Sequence, residues 1–207
     1  MIKVKVCGIT NLEDALAACE AGADALGFVF APEAKARNRH IAPADAQRII
    51  EQLPPFVLTV AVCVNEPTER LRAYLGFVDR VQLHGEESVE DCRPVASRAI
   101  KAFRVSADFD PAAMTAYPTR AYLLDAFVRD ARGGTGHTCD WDVARRAVAL
   151  GRPLILAGGL TPENVAEAVR HARPYAVDAS GGVERAPGKK DHGQVCRFIR
   201  NAKAASA

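Results

Sequence analysis

Short apolar, β-branched runs alternate along this chain with alanine-rich segments whose apolar positions recur at helical spacing. Eight of the runs read as strands: Ile2–Cys7, Ala25–Phe30, Leu58–Val64, Arg80–His84, Ala99–Val105, Ala121–Ala126, Pro153–Ala157 and Ala176–Ser180. Most lack the every-other-residue polarity of a half-exposed sheet, which predicts strands buried on both faces. The helical stretches between them are Leu12–Glu20, Pro43–Gln52, Pro67–Leu75, Ser88–Ala96, Asp142–Leu150, Pro162–His171 and Asp191–Lys203. Several open on proline, which a first helical turn tolerates because the missing N–H has no intrahelical partner to lose. The fifth connection, Asp108–Pro118, is bracketed by Pro111 and Pro118 and is predicted to be abbreviated.

Eight strand–helix units in series predict an α/β fold, a (β/α)8 TIM barrel forming a single domain over residues 1–207 with a shortened fifth helical connection. A doubly wound open sheet can arise from the same alternation, but it usually carries a glycine-rich turn after its first strand. Here that position reads Cys7-Gly8-Ile9-Thr10, and the glycine clusters fall late, after the sixth, seventh and eighth strands. Barrels of this kind place a phosphate site there.

Composition narrows the partners. The 27 basic and 25 acidic residues leave a net charge of +2, with no basic block interleaved with aromatics, so neither nucleic acid nor a membrane surface is expected. The six cysteines lack C-x-x-C or paired Cys/His spacing, so no metal is expected and the thiols read as reduced. The chain runs from Met1 directly into a strand, without a signal peptide's apolar core, and a cytoplasmic location follows as the expectation. The anticipated partner is a small phosphorylated molecule, with no cofactor, and a monomer is expected ahead of a dimer.

Candidate chemistry gathers at strand ends. Cys7 closes the first strand; taken alone, such a thiol is more often a small buried side chain than a functional one. Asp125 ends the sixth strand, and since the next helix starts only near Asp140, which can cap it, Asp125 is left for chemistry. The clusters Gly133-Gly134-Thr135-Gly136, Gly158-Gly159-Leu160-Thr161 and Ser180-Gly181-Gly182 would let backbone approach an anion closely. One alone would be a turn; three on neighbouring loops point to phosphate. Gln82 and His84 end the fourth strand, where a lone histidine is more often structural. The basic stretch from Lys35 to His40 offers Arg37 and Arg39 as guanidinium clamps for a carboxylate.

In order along the chain, Lys5-Val6-Cys7-Gly8-Ile9-Thr10, Gly27-Phe28-Val29-Phe30, Val81-Gln82-Leu83-His84-Gly85, Leu124-Asp125, Gly133-Gly134-Thr135-Gly136, Leu156-Ala157-Gly158-Gly159-Leu160, Asp178-Ala179-Ser180-Gly181-Gly182-Val183-Glu184 and Pro187-Gly188-Lys189-Lys190-Asp191 resemble the phosphoribosylanthranilate isomerases of tryptophan biosynthesis. The resemblance implies an Amadori rearrangement with Cys7 as general base and Asp125 as general acid. It implies a phosphate site from Gly136, Gly158, Gly159, Ser180, Gly181 and Gly182. The remaining substrate contacts would be Arg39, with Arg37 second, and Gln82, His84 and Asp178. The chain departs from the family's usual Ser-Pro-Arg after the second strand, reading Arg37-Asn38-Arg39, so that Arg39 alone keeps the register. The base role asks for a thiol below its ordinary value, with the N–H groups ahead of the first helix as a source of that shift.

Rival readings are weaker. A pentose-phosphate epimerase needs several metal-binding side chains at strand ends, and an indole-forming synthase needs rim lysines and a longer N-terminal extension. A silent sugar-phosphate-binding domain has no need of both a thiol and a carboxylate on its rim.

Overall fold

Eight parallel strands close on themselves in the computed structural model, which describes residues 1–106, 108–126 and 141–206. They are β1 (Lys3–Cys7), β2 (Ala25–Val29), β3 (Leu58–Cys63), β4 (Arg80–Leu83), β5 (Ala99–Val105), β6 (Ala121–Ala126), β7 (Leu154–Leu156) and β8 (Ala176–Ala179). Neighbours in sequence are neighbours in space, and β8 returns to pair with β1 through Lys5 opposite Asp178 and Val6 opposite Ala179. The expected (β/α)8 closure is what the chain forms, and the open-sheet alternative is excluded.

The period of two along each strand sorts side chains between two cores. Val4, Val6, Leu26, Phe28, Val81, Leu83, Tyr122, Leu124, Leu154 and Leu156 pack outward under the helices. Val60, Ile100, Ala102, Ala121, Leu123, Ile155, Ala157 and Ala176 fill the barrel itself. Both faces are therefore apolar along most of each strand, the reason the sequence shows little alternation. Toward the C-terminal ends the inward positions turn polar, to Lys5, Gln82, Asp125 and Asp178, all buried.

Helices α1 (Leu12–Glu20), α2 (Pro43–Ile50) and α3 (Thr68–Tyr74) fall close to their expected bounds. Asn11 caps α1 by accepting from the Asp14 N–H, Pro43 opens α2, and Pro67 stands just outside α3 as its cap. The fourth connection differs. Its α-helix, α4 (Val89–Cys92), lasts one turn under a Ser88/Asp91 capping box and passes into a 3-10 segment, Arg93–Arg98. Pro94 accounts for this, since within an α-helix its ring would meet the Glu90 carbonyl and no N–H would bond back to it. The fifth connection is a short 3-10 turn, Pro111–Ala116, as its prolines predict.

Further on come α5 (Trp141–Val148), α6 (Val165–Ala172) and α7 (His192–Ala205), the last capped by Asp191. The sixth starts three residues later than expected, because the Asn164 side chain turns back to the Thr161 N–H and the Gly159 carbonyl. After β8 a 3-10 turn (Gly181–Val183) leads into a hairpin, β9 (Glu184–Ala186) and β10 (Lys189–Lys190), which the sequence pattern does not announce. No helix among the described residues is long and apolar enough to cross a membrane.

Candidate active site

The polar inward positions open into a cavity of about 1000 Å³ at the C-terminal mouth of the barrel. Every predicted site residue that the structure describes lines it: Cys7, Arg37, Arg39, Gln82, His84, Asp125, Gly158, Gly159, Asp178, Ser180, Gly181 and Gly182. Gly136, with the rest of the 133–136 cluster and Asp140, lies outside the described residues.

Cys7 ends β1 opposite Gly27 of β2. The N–H groups of Gly8 and Ile9 that follow it both donate to the Gly27 carbonyl, at 2.9 and 3.0 Å, and so are not aimed at the sulfur. These two groups therefore do not serve to acidify the thiol. Burial pushes the Cys7 thiol above its ordinary value, and the nearby Lys5 ammonium opposes that rise without cancelling it. Lys5 lies two residues back on the same face of β1 and donates through Nζ to Asp178 Oδ2 at 2.9 Å, both side chains being almost wholly buried. Burial alone would push the ammonium down, but Asp178 and the Cys7 sulfur more than offset it, and Lys5 stands above its ordinary value.

Asp125 ends β6, with β7 and β8 separating it from Cys7 around the ring. Its Oδ2 lies 3.4 Å from His84 Nε2. The Gln82 amide nitrogen is 2.9 Å from His84 Nδ1, and donation in that direction puts the ring proton on Nε2, facing Asp125. A polar file, Gln82 to His84 to Asp125, thus crosses the mouth.

Between the thiol and the carboxylate lie the loops after β7 and β8. Gly158 and Gly159 both take left-handed backbone, at φ 85° and 63°, which a side chain would strain. A Cβ on Gly182 would come within 2.0 Å of the Leu160 carbonyl oxygen, so the two loops are pressed together there. Bare backbone forms this wall, and such a surface suits an anion whose oxygens need close approach to N–H groups.

Beside the loop after β8 stands Arg39, bonded to Glu184 through Nε at 2.9 and 3.1 Å and through Nη2 at 2.7 Å. Lys190, fully buried, donates to the same carboxylate at 2.9 Å and to the Cys7 carbonyl at 2.6 Å. Burial would raise the Glu184 carboxyl, but Arg39 and Lys190 hold it below the usual range. Asn38 explains the departure at the Arg37-Asn38-Arg39 triplet: its φ is 51°, a conformation closed to proline, whose ring fixes φ near −65°. Lys5, Glu184 and Lys190 are the residues sequence reasoning passed over. Lys5 had a signal in its i−2 spacing from Cys7; Glu184 and Lys190 stand in stretches that carry the family resemblance, but nothing local places them at the mouth, to which a hairpin returns them.

A closed (β/α)8 barrel that gathers a thiol, a carboxylate and glycine-rich loops at one C-terminal mouth falls in the class of barrel enzymes whose sites are built from strand ends and the loops that follow. Comparison narrows the class. The family model for N-(5'-phosphoribosyl)anthranilate (PRA) isomerase matches residues 4–201, and the chain belongs to that family. It is 55% identical over 207 residues to the N-(5'-phosphoribosyl)anthranilate isomerase of Geobacter sulfurreducens, covering 98% of this chain and 99% of that one. The crystal structure of phosphoribosyl anthranilate isomerase from Thermotoga maritima superposes with a TM-score of 0.90 at 48% identity, covering 99% of this chain and 100% of that one. A structure of such an isomerase in complex with reduced 1-(o-carboxyphenylamino)-1-deoxyribulose 5-phosphate is similar too, with a TM-score of 0.86 at 47% identity and coverage of 99% and 100%.

Proposed function

We propose that this chain converts N-(5-phosphoribosyl)anthranilate into 1-(2-carboxyphenylamino)-1-deoxyribulose 5-phosphate, with Asp125 as general acid and Cys7 as general base. The observation that carries the proposal is their placement: both line one cavity, flanking the glycine-rich loops of β7 and β8. The phosphate sits on those loops, at Gly158, Gly159, Ser180, Gly181 and Gly182, with Gly136 assigned to the same site by resemblance. The anthranilate carboxylate then reaches Arg39, with Arg37 as its alternate, and Gln82, His84 and Asp178 contact the sugar between.

In the first step Asp125 gives its proton to the furanose ring oxygen, the C1–O bond breaks and an iminium forms at C1. The Cys7 thiolate removes the proton on C2, which the iminium has made acidic, and the electron pair becomes the C1–C2 double bond of an enolamine. Tautomerisation takes one proton off the C2 hydroxyl and puts one on C1, leaving the ketone. If Cys7 returns its proton to C1 and Asp125 takes that of the hydroxyl, both groups end as they began. The test is direct: enzymatically generated phosphoribosylanthranilate should lose its fluorescence on incubation with the protein, and fluorescence persisting at saturating protein rejects the proposal.

The chain is read here as one domain over 1–207 acting in the cytoplasm, the latter supported by five free cysteines among the described residues. It is read as a monomer. Phe56, 97% exposed at the N-terminal end of the barrel near Leu58, is the surface to mutate should sedimentation show a dimer instead.

A further inference from the structure

The reaction needs Cys7 as a thiolate, yet its burial works against one, and the barrel interior holds an unexplained charge pair close by. Lys5 and Asp178 are 3% and 8% exposed and bonded at 2.9 Å, and Asp178 lines the cavity. Register places them side by side, Lys5 of β1 against Asp178 of β8, while Cys7 faces Gly27 of β2. Gly27 is what lets sulfur and ammonium meet. A Cβ there would fall 2.7 Å from Cys7 Sγ and 3.0 Å from Lys5 Nζ, so any other residue would wedge between them. A cationic donor is thus held beside the thiol by strand register, a missing side chain and a buried counterion.

We propose that Lys5, fixed and kept charged by Asp178, is a positioning residue that stabilises the thiolate of Cys7 for proton abstraction. The proposal rests on the reading of Cys7 as the base. Lys5 is not itself the base, because an ammonium paired with a buried carboxylate has no lone pair to offer. Its effect on sulfur is electrostatic and donated through one N–H. Other charged groups around the thiol do not replace it. Lys190 reaches the Cys7 carbonyl from the hairpin but is neutralised by Glu184, which also holds Arg39. Asp178 raises the thiol, and Asp125 and His84 line the mouth across from it. Lys5 is the cation that lowers it most.

The experiment reads the thiol itself. Iodoacetamide labelling of Cys7, followed peptide by peptide in mass spectrometry from pH 6 to 10, gives its titration curve without any turnover. Lys5→Met should move that curve up by about one unit or more. It should also lower kcat at pH 7 about tenfold, with KM within about twofold and the rate recovering as pH rises. Lys5→Arg should stay near the wild-type curve. If Lys5→Met fails to fold with Asp178 left unpaired, the double variant Lys5→Met/Asp178→Asn removes both charges, and its curve should lie between wild type and Lys5→Met. A curve for Lys5→Met that overlays the wild type, or one for the double variant at or below it, overturns the proposal. A Cys7→Ala enzyme with near wild-type turnover would instead reject the base reading, and the labelling curves would still report whether Lys5 acts on the sulfur.

Discussion

Two buried lysine–carboxylate pairs stand on opposite walls of the same barrel, and they differ in how completely their hydrogen bonds are met. Outside the barrel, under the loop after β4, Lys101 Nζ donates to Glu87 at 2.7 Å and to the Gly85 carbonyl at 2.8 Å. Glu87 in turn accepts from the N–H groups of Asn65 and Gly85. Inside, Lys5 is bonded to Asp178, but the buried Asp178 Oδ1 has no hydrogen-bond partner among the described residues. Burying charge is costly unless its remaining bonds are satisfied. The outer pair therefore reads as a clamp that holds the turn following His84. The inner pair carries an unspent acceptor and a cation beside a thiol, which suits chemistry on a ligand.

The comparison breaks most sharply on the acid and base. Cys7→Ala and Asp125→Asn should each lower kcat roughly 10²- to 10⁴-fold while leaving unfolding midpoints nearly unchanged. Steady-state assays beside denaturant melts check this, and a marked loss of stability with turnover intact would place the inner wall with the outer one.

Next in size is the outer pair. Lys101→Met strands the Glu87 carboxylate in the protein and should cost about 3–5 kcal/mol of stability in a urea titration. The kcat per folded molecule should stay within about twofold. A variant that melts like wild type but turns over poorly would mean that this pair, too, serves the chemistry.

Arg39 tests whether an ion pair can be shared with substrate. Arg39→Ala should lower kcat/KM about tenfold to a hundredfold, on the order of 1.5–3 kcal/mol for a charge-assisted bond, with Arg37→Ala doing less. Equal, negligible effects from both would move the carboxylate elsewhere.

The smallest effect is a pH dependence. Because Glu184 is held below the usual carboxyl range in the folded state, its contribution to stability is present above about pH 4.3 and is lost as pH falls through the folded value. Glu184→Gln should therefore be destabilised at pH 7 and differ less from wild type at pH 3. A gap between the two melts that is constant with pH would mean that this carboxylate does not titrate with unfolding.

The amino-acid sequence by itself determined the eight strands, because a run apolar on every residue is a local pattern with one comfortable place, buried on both faces. It also determined Cys7, Asp125 and the two described glycine clusters as rim features, since a strand end is where a periodic run stops. Pro111 and Pro118 likewise dictated a short fifth connection. Pro94 breaks the Ser88–Ala96 pattern by the same local rule, and the late start of α6 is set within six residues, by Asn164 bonding back to the Gly159 carbonyl. Other outcomes depended on which segments meet. Lys190 stands in a stretch of the family resemblance, but only the hairpin carries it under the mouth, where Glu184 and the Cys7 carbonyl replace its water. Lys5 meets Asp178 across 173 positions of sequence because the barrel closes β8 onto β1. The period of two tells which face a residue takes; only closure tells which strand stands beside it, and the electrostatics of the thiol are set by that neighbour.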